Sequence, residues 1–234
     1  MASHQADREP NVPENLFHTT LTVIDYHKDP SGAIRSVYVL GTHTDLPSAK
    51  RFALSALQFL NYDPSDFAAY ATRPTTDEDA AGNWPHGPGV LVYARAPAGQ
   101  ELLVGLDTKA NTCNFPAGGP DGTPLLPKDA ECGHLHYVLQ SQTDYNQDKS
   151  GASQSTEIEG CYVSRADALA AAKGLLSDQK DEFAQYDERD DAKPNEDWPF
   201  GEDAIVHAVA HTGENYEVAV KTSPGARGRV NLGQ

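Results

Sequence analysis

The sequence predicts an α+β protein built by internal duplication of a ββαββ module, with each helix packed on an antiparallel sheet. Three observations carry this prediction. Four sequence blocks occur twice in the same order, each copy begins with a hairpin pattern, and a capped helical pattern follows each hairpin. Two copies are too few, and the period too long, for a solenoid. The copies are therefore expected to pack around a pseudo-two-fold axis.

The repeat is clearest in its first and last blocks. Residues 25–32 share five of eight positions with 144–151, and residues 84–99 share seven of sixteen with 198–213. The offset between the copies falls from 119 to 114 residues along the chain, as loop deletions produce. The predicted organisation is a tail at 1–13, a first repeat at 14–112, a Gly/Pro-rich loop at 113–133, a second repeat at 134–223 and a tail at 224–234.

Each copy opens with a hairpin. Residues 16–24 are rich in Thr, Val and Leu, which is typical of a strand, and residues 34–40 alternate in polarity as a second strand. Between them, Pro30 presets φ and Gly32 supplies a positive φ, which is turn chemistry. The Asp-Tyr-x-x-Asp-x-Ser-Gly motif is therefore interpreted as a hairpin turn rather than as a calcium loop, because the third acidic position of such a loop is missing.

A helix follows each hairpin. Asp45 and Ser164 are good N-cap residues and stand 119 positions apart, like the hairpins. Apolar residues at helical spacing extend to Leu60 in the first copy and to Phe183 in the second, which predicts the helix lengths. After a polar linker, each copy ends in a second hairpin. These hairpins are predicted at 89–96 with 101–106, and at 204–210 with 216–220.

Charge and composition exclude several classes of protein. The 234 residues carry 18 Lys and Arg against 34 Asp and Glu, a net charge of −16, which argues against a duplex nucleic-acid binder. No apolar run approaches the ~18 residues of a membrane span, and the N-terminus lacks the apolar stretch of a signal peptide. Three cysteines fit a reducing compartment, so a soluble protein of the cytoplasm or nucleus is expected. A disulfide between Cys113 and Cys132 is left open.

The Trp-Pro dipeptides are the sharpest repeated signal. Trp84-Pro85 and Trp198-Pro199 stand in equivalent positions and could form symmetry-related aromatic walls of a groove between the modules. The simpler interpretation is that each Trp caps the core just before a strand. The predicted ligand-binding residues are Trp84, His86, Tyr93, Trp198, Phe200 and His207.

A compact set of soft ligands suggests a metal site. His134 and His136 are two apart, so both would point to one face of a strand, and Cys132 lies beside them. His18 lies in the equivalent first strand. Together these four residues suggest zinc or another divalent metal, although no second ligand pair at standard spacing supports it. The alternative is a strand edge with half-exposed histidines.

The leading functional hypothesis is a non-catalytic protein that binds a small molecule or a protein in the groove between the modules, near the 109–133 loop. It rests on the duplication and on the absence of a recognisable set of nucleophile, base and orienting residue. Its oligomeric state is left open.

An enzyme is the second hypothesis. Starting from the second strand, the order β-α-β-β-β resembles the paired modules of the vicinal oxygen chelate (glyoxalase-like) superfamily. That resemblance implies a pseudo-symmetric, metal-assisted active site, cupped and lined by His and Glu.

A third hypothesis comes from the distribution of charge. Residues 178–203 hold eleven acidic and three basic residues, so half of the net charge lies in 26 residues. Such a face could dock a basic protein partner through long-range attraction. The simpler interpretation is a solvated helix end followed by a linker.

Overall fold

Two five-stranded antiparallel sheets and a few short helices make up the fold of the computed structural model. The structure describes residues 11–74, 84–127, 133–193 and 197–224. Cys132, most of the predicted N-terminal tail and nearly all of the C-terminal tail lie outside these ranges. No helix among the described residues is long and apolar enough to cross a membrane.

The two sheets share one strand order. The first sheet runs β2-β1-β5-β4-β3 and the second runs β7-β6-β10-β9-β8, which is the same order when each is numbered from its own first strand. We call them the first and second unit. The strands are β1 (Asn15–Asp25), β2 (Arg35–His43), β3 (Ala69–Thr72), β4 (Val90–Arg95), β5 (Gln100–Ala110), β6 (His136–Asp144), β7 (Gln154–Tyr162), β8 (Phe183–Glu188), β9 (Ala204–Ala210) and β10 (Glu214–Thr222).

Both predicted helix starts are confirmed, and the first helical run ends at Phe59, beside the predicted Leu60, while the predicted end of the second helix at Phe183 is wrong. The Asp45 carboxylate accepts a hydrogen bond from the backbone N–H of Ser48 (2.8 Å), and the Ser164 hydroxyl accepts one from that of Asp167 (3.4 Å). The helices themselves are α1 (Leu46–Leu54), α2 (Ala56–Phe59) and α3 (Arg165–Gly174). Ser55 interrupts the first helical run, and a 3₁₀ helix at Ser177–Glu182 follows α3.

Each unit has a fifth strand that the ββαββ prediction lacks. Phe183, expected in the second helix, instead begins β8, which pairs with β9; β3 pairs with β4 in the same way. Both strands follow a 3₁₀ helix and lie at a sheet edge. Their half-exposed side chains do not alternate as those of a central strand do, so the sequence pattern did not distinguish them from helix or linker.

Each unit buries its helix against one face of its own sheet. Ala53 of α1 and Ala168 of α3 are fully buried in these two cores, beside residues such as Leu102 and Val218 from the central strands. A third cluster fills the space between the two sheets. It comprises Leu16, Val39, Phe115, Leu135, Tyr137, Leu139, Ile158 and Cys161. The inner faces of the sheets, opposite the helices, therefore contact each other.

The first hairpins of the two units contact each other through residues at equivalent positions. The Arg35 guanidinium donates a hydrogen bond to the carbonyl of Ala152 (3.0 Å), and the Gln154 amide donates one to that of Ala33 (2.8 Å). Residues 35 and 154, like residues 33 and 152, are 119 positions apart. Each unit therefore contributes one side-chain donor and one backbone acceptor to this contact, from equivalent positions.

The repeated Asp-Tyr-x-x-Asp-x-Ser-Gly motif forms hairpin turns in both units, as predicted. Gly32 and Gly151 have φ values of +78° and +83°, in the region that favours glycine. A Cβ on Gly32 would lie 2.7 Å from Cε1 of Tyr26, and one on Gly151 would lie 3.0 Å from Cε1 of Tyr145. The tyrosine of each motif therefore packs over the glycine, which leaves no room for a side chain.

The strand grouping behind the vicinal-oxygen-chelate resemblance differs from the observed sheets. That grouping adds the first strand of the second copy to the sheet of the first copy. In the structure, β6 pairs with β7 and β10, both of its own unit. Likewise, β1 pairs with β2 and β5. Each sheet is therefore formed within one unit.

Candidate functional site

In the second unit, three predicted ligand-binding residues form a stack of rings. The Trp198 ring meets the edge of Phe200 at 5.0 Å between centroids, and Phe200 lies parallel to His207 at 3.9 Å. Phe200 comes from the turn before β9 and His207 from β9 itself. The Trp-Pro turn thus folds back onto the inner face of its own sheet.

The first unit repeats this stack with other side chains. Trp84 meets His86 at 4.7 Å, and His86 lies parallel to Tyr93 at 3.8 Å. Tyr93 is the counterpart of His207 at the offset of 114 residues. The six predicted residues therefore form two separate groups of three stacked rings, one on each sheet.

An arginine holds the Trp-Pro turn in both units. The buried Arg189 lies 4.9 Å over the Trp198 ring and donates hydrogen bonds to the carbonyls of Ala204 (2.7 Å) and Glu202. Its counterpart Arg73 donates to the carbonyl of Pro88. The indole N–H groups of both tryptophans are buried, without a hydrogen-bond partner among the described residues. In the second unit Arg189 therefore anchors the Trp-Pro turn to the start of β9, and the capping role of the tryptophans stays a prediction.

A cavity of about 360 Å³ lies between the inner face of the second sheet and strand β2 of the first unit. Phe200 and His207 line it, while Trp84, His86 and Tyr93 do not, and neither do the described residues of the 109–133 loop, 109–127 and 133. Side chains from both units therefore form its wall. They include Arg35, Val37, Ser141, Thr156, Phe200, His207, Glu217 and Lys221.

Glu217 is the unusual residue of this cavity. It lies in the middle of β10, where its cross-strand neighbours are Ser141 and His207. Burial raises the pKa of its carboxyl group; the negative charge of Asp203 acts in the same direction and the positive charge of Lys221 opposes it. Within the described part of the chain, no side chain or backbone group makes a hydrogen bond or an ion pair with the Glu217 carboxylate. The side chain is partly exposed, and the cavity is the space that it faces.

The two cations of the cavity wall are already engaged. The Lys221 ammonium donates to the carbonyl of Val37 (3.2 Å) and lies 5.4 Å from the centre of the Tyr38 ring. The Arg35 guanidinium donates to the carbonyls of Gly32 (2.8 Å) and Ala152. Both side chains therefore connect the units, and neither one forms a salt bridge with Glu217.

His207 lies next to Glu217 on the neighbouring strand. Burial lowers the pKa of its imidazole, although the nearby Asp187 carboxylate works against this effect. Nδ1 of His207 is 3.8 Å from Oδ2 of Asp187, which is beyond hydrogen-bonding distance. Near neutral pH the ring is therefore uncharged, and Glu217 has no cationic histidine beside it.

A second cavity, of about 230 Å³, lies on the inner face of the first sheet and is covered by β7. It shares Arg35 and Gln154 with the larger cavity, so the contact between the hairpins separates the two. Leu103 and Gly89 stand in the first unit where Glu217 and Asp203 stand in the second. The first unit therefore has no carboxylate at the position of Glu217, although Asp107, the counterpart of Lys221, lines the smaller cavity.

The histidines of the predicted metal site lie on different faces. His18 is 1% exposed and lies between the sheets, with Nδ1 2.9 Å from the Thr42 hydroxyl and its ring 5.9 Å from that of Tyr137. His134 and His136 have ring centroids 5.2 Å apart. Because side chains alternate along β6, His136 faces away from the inner side occupied by Tyr137.

No group of three His, Cys, Asp or Glu residues suited to a metal occurs in the described ranges. Cys132 lies outside them, so a metal at Cys132, His134 and His136 stays a prediction. His18 does not join the other two histidines. Cys113, whose thiol donates to the carbonyl of Cys161 (3.2 Å), is a free cysteine.

Three of the eleven acidic residues of the 178–203 segment form salt bridges with nearby lysine or arginine side chains. Arg165 binds Asp191 at 2.5 Å, Lys173 binds Asp190 at 2.5 Å, and Lys180 binds Glu188 at 3.0 Å. The salt bridges join α3 and the following 3₁₀ helix to β8 and the loop after it. The negative charge offered to a partner is therefore smaller than the sequence count implies.

Sequence reasoning missed Glu217, although the repeat contained the signal for it. Aligning Gly99 with Gly213 places Glu217 opposite Leu103, so a charged residue replaces an apolar one on an inner strand position. Arg35 carried no such signal, because its role depends on the contact between the units.

Similarity to known proteins assigns no family to this site. No family model matches the sequence, and neither a curated protein nor a solved structure matches the chain.

Proposed function

We propose that this chain is a non-catalytic binding protein that holds a small molecule in the 360 Å³ cavity between the second sheet and β2. The observation that carries the proposal is the carboxylate of Glu217, which is partly buried in the cavity wall and has no hydrogen-bond or ion-pair partner among the described residues. A bound molecule would supply that partner. Perturbed, buried ionisable groups in a cleft are typical of functional sites.

The size and chemistry of the cavity support a small-molecule ligand. Its volume falls within the range of about 300–1,000 Å³ that is common for such sites. Its wall combines the apolar Phe200 and Val37 with the polar Ser141 and Thr156, whose hydroxyls lie 2.8 Å apart. Polar and charged side chains form more than half of the wall, so the cavity suits a polar or charged ligand rather than a purely apolar one.

We also propose that the two units are copies of one module, spanning 14–112 and 134–223 and related by a pseudo-two-fold axis. The shared strand order and the reciprocal hydrogen bonds of Arg35 and Gln154 support this duplication. It would explain why the hairpin of each unit covers the sheet of the other.

The low, odd cysteine count supports a reducing compartment, the cytoplasm or the nucleus. A docking role for the 178–203 segment has less support, because several of its acids are already paired.

A pair of cavity-filling variants tests the binding proposal. Ser141→Trp fills the larger cavity, while Thr22→Trp fills the smaller one at the equivalent position of the first unit. A library of small metabolite-like molecules is screened against the natural protein and both variants by thermal shift and native mass spectrometry. We expect at least one compound to bind the natural protein and Thr22→Trp but not Ser141→Trp.

Recovery of the bound compound unchanged would support binding rather than catalysis. Compounds that bind equally to Ser141→Trp and to the natural protein would place the site elsewhere. Failure of the whole library to bind the natural protein would contradict the proposal.

A further inference from the structure

We propose that the larger cavity selects a small organic cation, a primary ammonium group on a hydrocarbon chain or ring, with the ammonium group against Glu217. This inference rests on the proposed binding function and adds the chemical class of the ligand. Two cations of the cavity wall, Lys221 and Arg35, already make hydrogen bonds to backbone carbonyls, whereas the Glu217 carboxylate has no partner among the described residues.

The hydrogen-bonding of the wall favours a cation. Lys221 and Arg35 would be the groups to attract an anion, but both donate to backbone carbonyls at the contact between the units. The Glu217 carboxylate has no such partner among the residues described. A ligand that carries a positive charge removes this unpaired charge, whereas an anion would add a second one beside it.

The neighbouring charges also favour a cation. Asp203 acts on Glu217 with a negative charge, and the neutral His207 brings no positive charge to the same place. Lys221 is the opposing cation, held towards Val37 and Tyr38. The net charge of the chain, −16, steers cations towards the molecule in general.

The surroundings of the carboxylate suit the rest of such a ligand. A Cβ built on Gly201 would lie 3.8 Å from Oε2 of Glu217, so the carboxylate lies beside the turn that carries Pro199 and Phe200. Both of these residues line the cavity. Ile34 and Tyr145, two of its exposed lining residues, add apolar surface. A hydrocarbon group attached to the ammonium would therefore be covered while the charge is paired.

Three probes of one shape separate charge from size. Phenethylammonium, 2-phenylethanol and 3-phenylpropanoate have closely similar shapes and differ in charge. Binding is measured by isothermal titration calorimetry and by ligand-observed NMR at low ionic strength. We expect phenethylammonium to bind at least tenfold more tightly than either of the others, because it alone pairs with the carboxylate.

Variants identify the carboxylate that is responsible. Glu217→Gln keeps the shape of the side chain and is expected to weaken phenethylammonium binding at least tenfold. Asp203→Asn removes a charge that acts from further away and is expected to weaken it two- to threefold. Thr22→Trp, in the smaller cavity, is expected to leave binding unchanged. Thermal unfolding of each variant shows whether it remains folded.

The failure of this inference differs from the failure of the proposed function. Equal binding of the three probes, tighter binding of 3-phenylpropanoate, or unchanged binding to Glu217→Gln would each overturn the selection of a cation. If the cation fails while another compound binds in a manner sensitive to Ser141→Trp, the site stands and its ligand belongs to another class. If nothing binds, both proposals fail.

Discussion

Lowering the pH is expected to weaken the contact between the two units through His18. Burial, with smaller contributions from Lys109 and His43, lowers the pKa of this imidazole from 6.5 to about 4. Its Nδ1 hydrogen-bonds to the Thr42 hydroxyl, which is also 2.9 Å from the Tyr137 hydroxyl of the other unit. The Thr42 hydroxyl is neutral, and the charges of Lys109 and His43 disfavour a positive charge on the ring.

The cost follows from the difference between the folded and unfolded chain. Unfolded protein binds a proton at His18 near pH 6.5, while the folded protein resists it until about pH 4. The contribution of the neutral ring is therefore present above pH 6.5 and is lost as the pH falls. Between pH 7 and pH 5 the loss is about 2 kcal/mol, and between pH 7 and pH 4 it is about 3 kcal/mol.

Urea unfolding of matched variants isolates this effect. His18→Gln removes the titration and is expected to lower the free energy of unfolding at pH 7 but to flatten its decline from pH 7 to pH 5 by about 2 kcal/mol. His211→Gln, at an exposed position, is the control and should follow the natural protein. Identical pH dependence in the natural protein and in His18→Gln would refute the reasoning.

Three further changes test other parts of the structure by the same unfolding measurement. Glu217→Leu introduces the residue of the equivalent position and removes an unpaired, partly buried charge, so we expect about 1 kcal/mol of added stability at pH 7, shrinking as the pH falls and the natural carboxylate takes up a proton. Tyr137→Phe loses the hydrogen bond to Thr42 and should cost about 1–2 kcal/mol, and an unchanged midpoint would contradict that bond. Gly32→Ala should cost about 1–3 kcal/mol, because φ is +78° and Tyr26 is close; Gly174→Ala, with nothing within 4 Å, should be nearly neutral, and equal effects would refute the steric argument.

Local features of the fold were predictable from the sequence. The Asp45 cap and the turn at Gly32 depend on residues a few positions apart, and both are found as expected. The end of the second helix was not predictable, because Phe183 continues the apolar spacing of the helix although it is the first residue of β8. Helical periodicity does not show where tertiary pairing takes over.

The candidate site divides in the same way. The repeat indicated Phe200 and His207, which line the larger cavity, because both lie in the 198–213 segment that repeats residues 84–99. Arg35 reaches the cavity only because the hairpins cross between units, a contact that no local pattern encodes. The unpaired state of the partly buried Glu217 carboxylate can be recognised only once its neighbours in space are known.

The covering of each sheet by the hairpin of the other unit has a thermodynamic consequence. Since β2 closes the cavity over the second sheet, opening the contact between the units exposes the cavity to solvent. A molecule that binds only the closed form must then stabilise the contact by as much as closure strengthens its own binding. Substitutions that loosen the contact between the units would therefore change ligand affinity by changing how often the two halves of the molecule are closed, even where they do not touch the ligand.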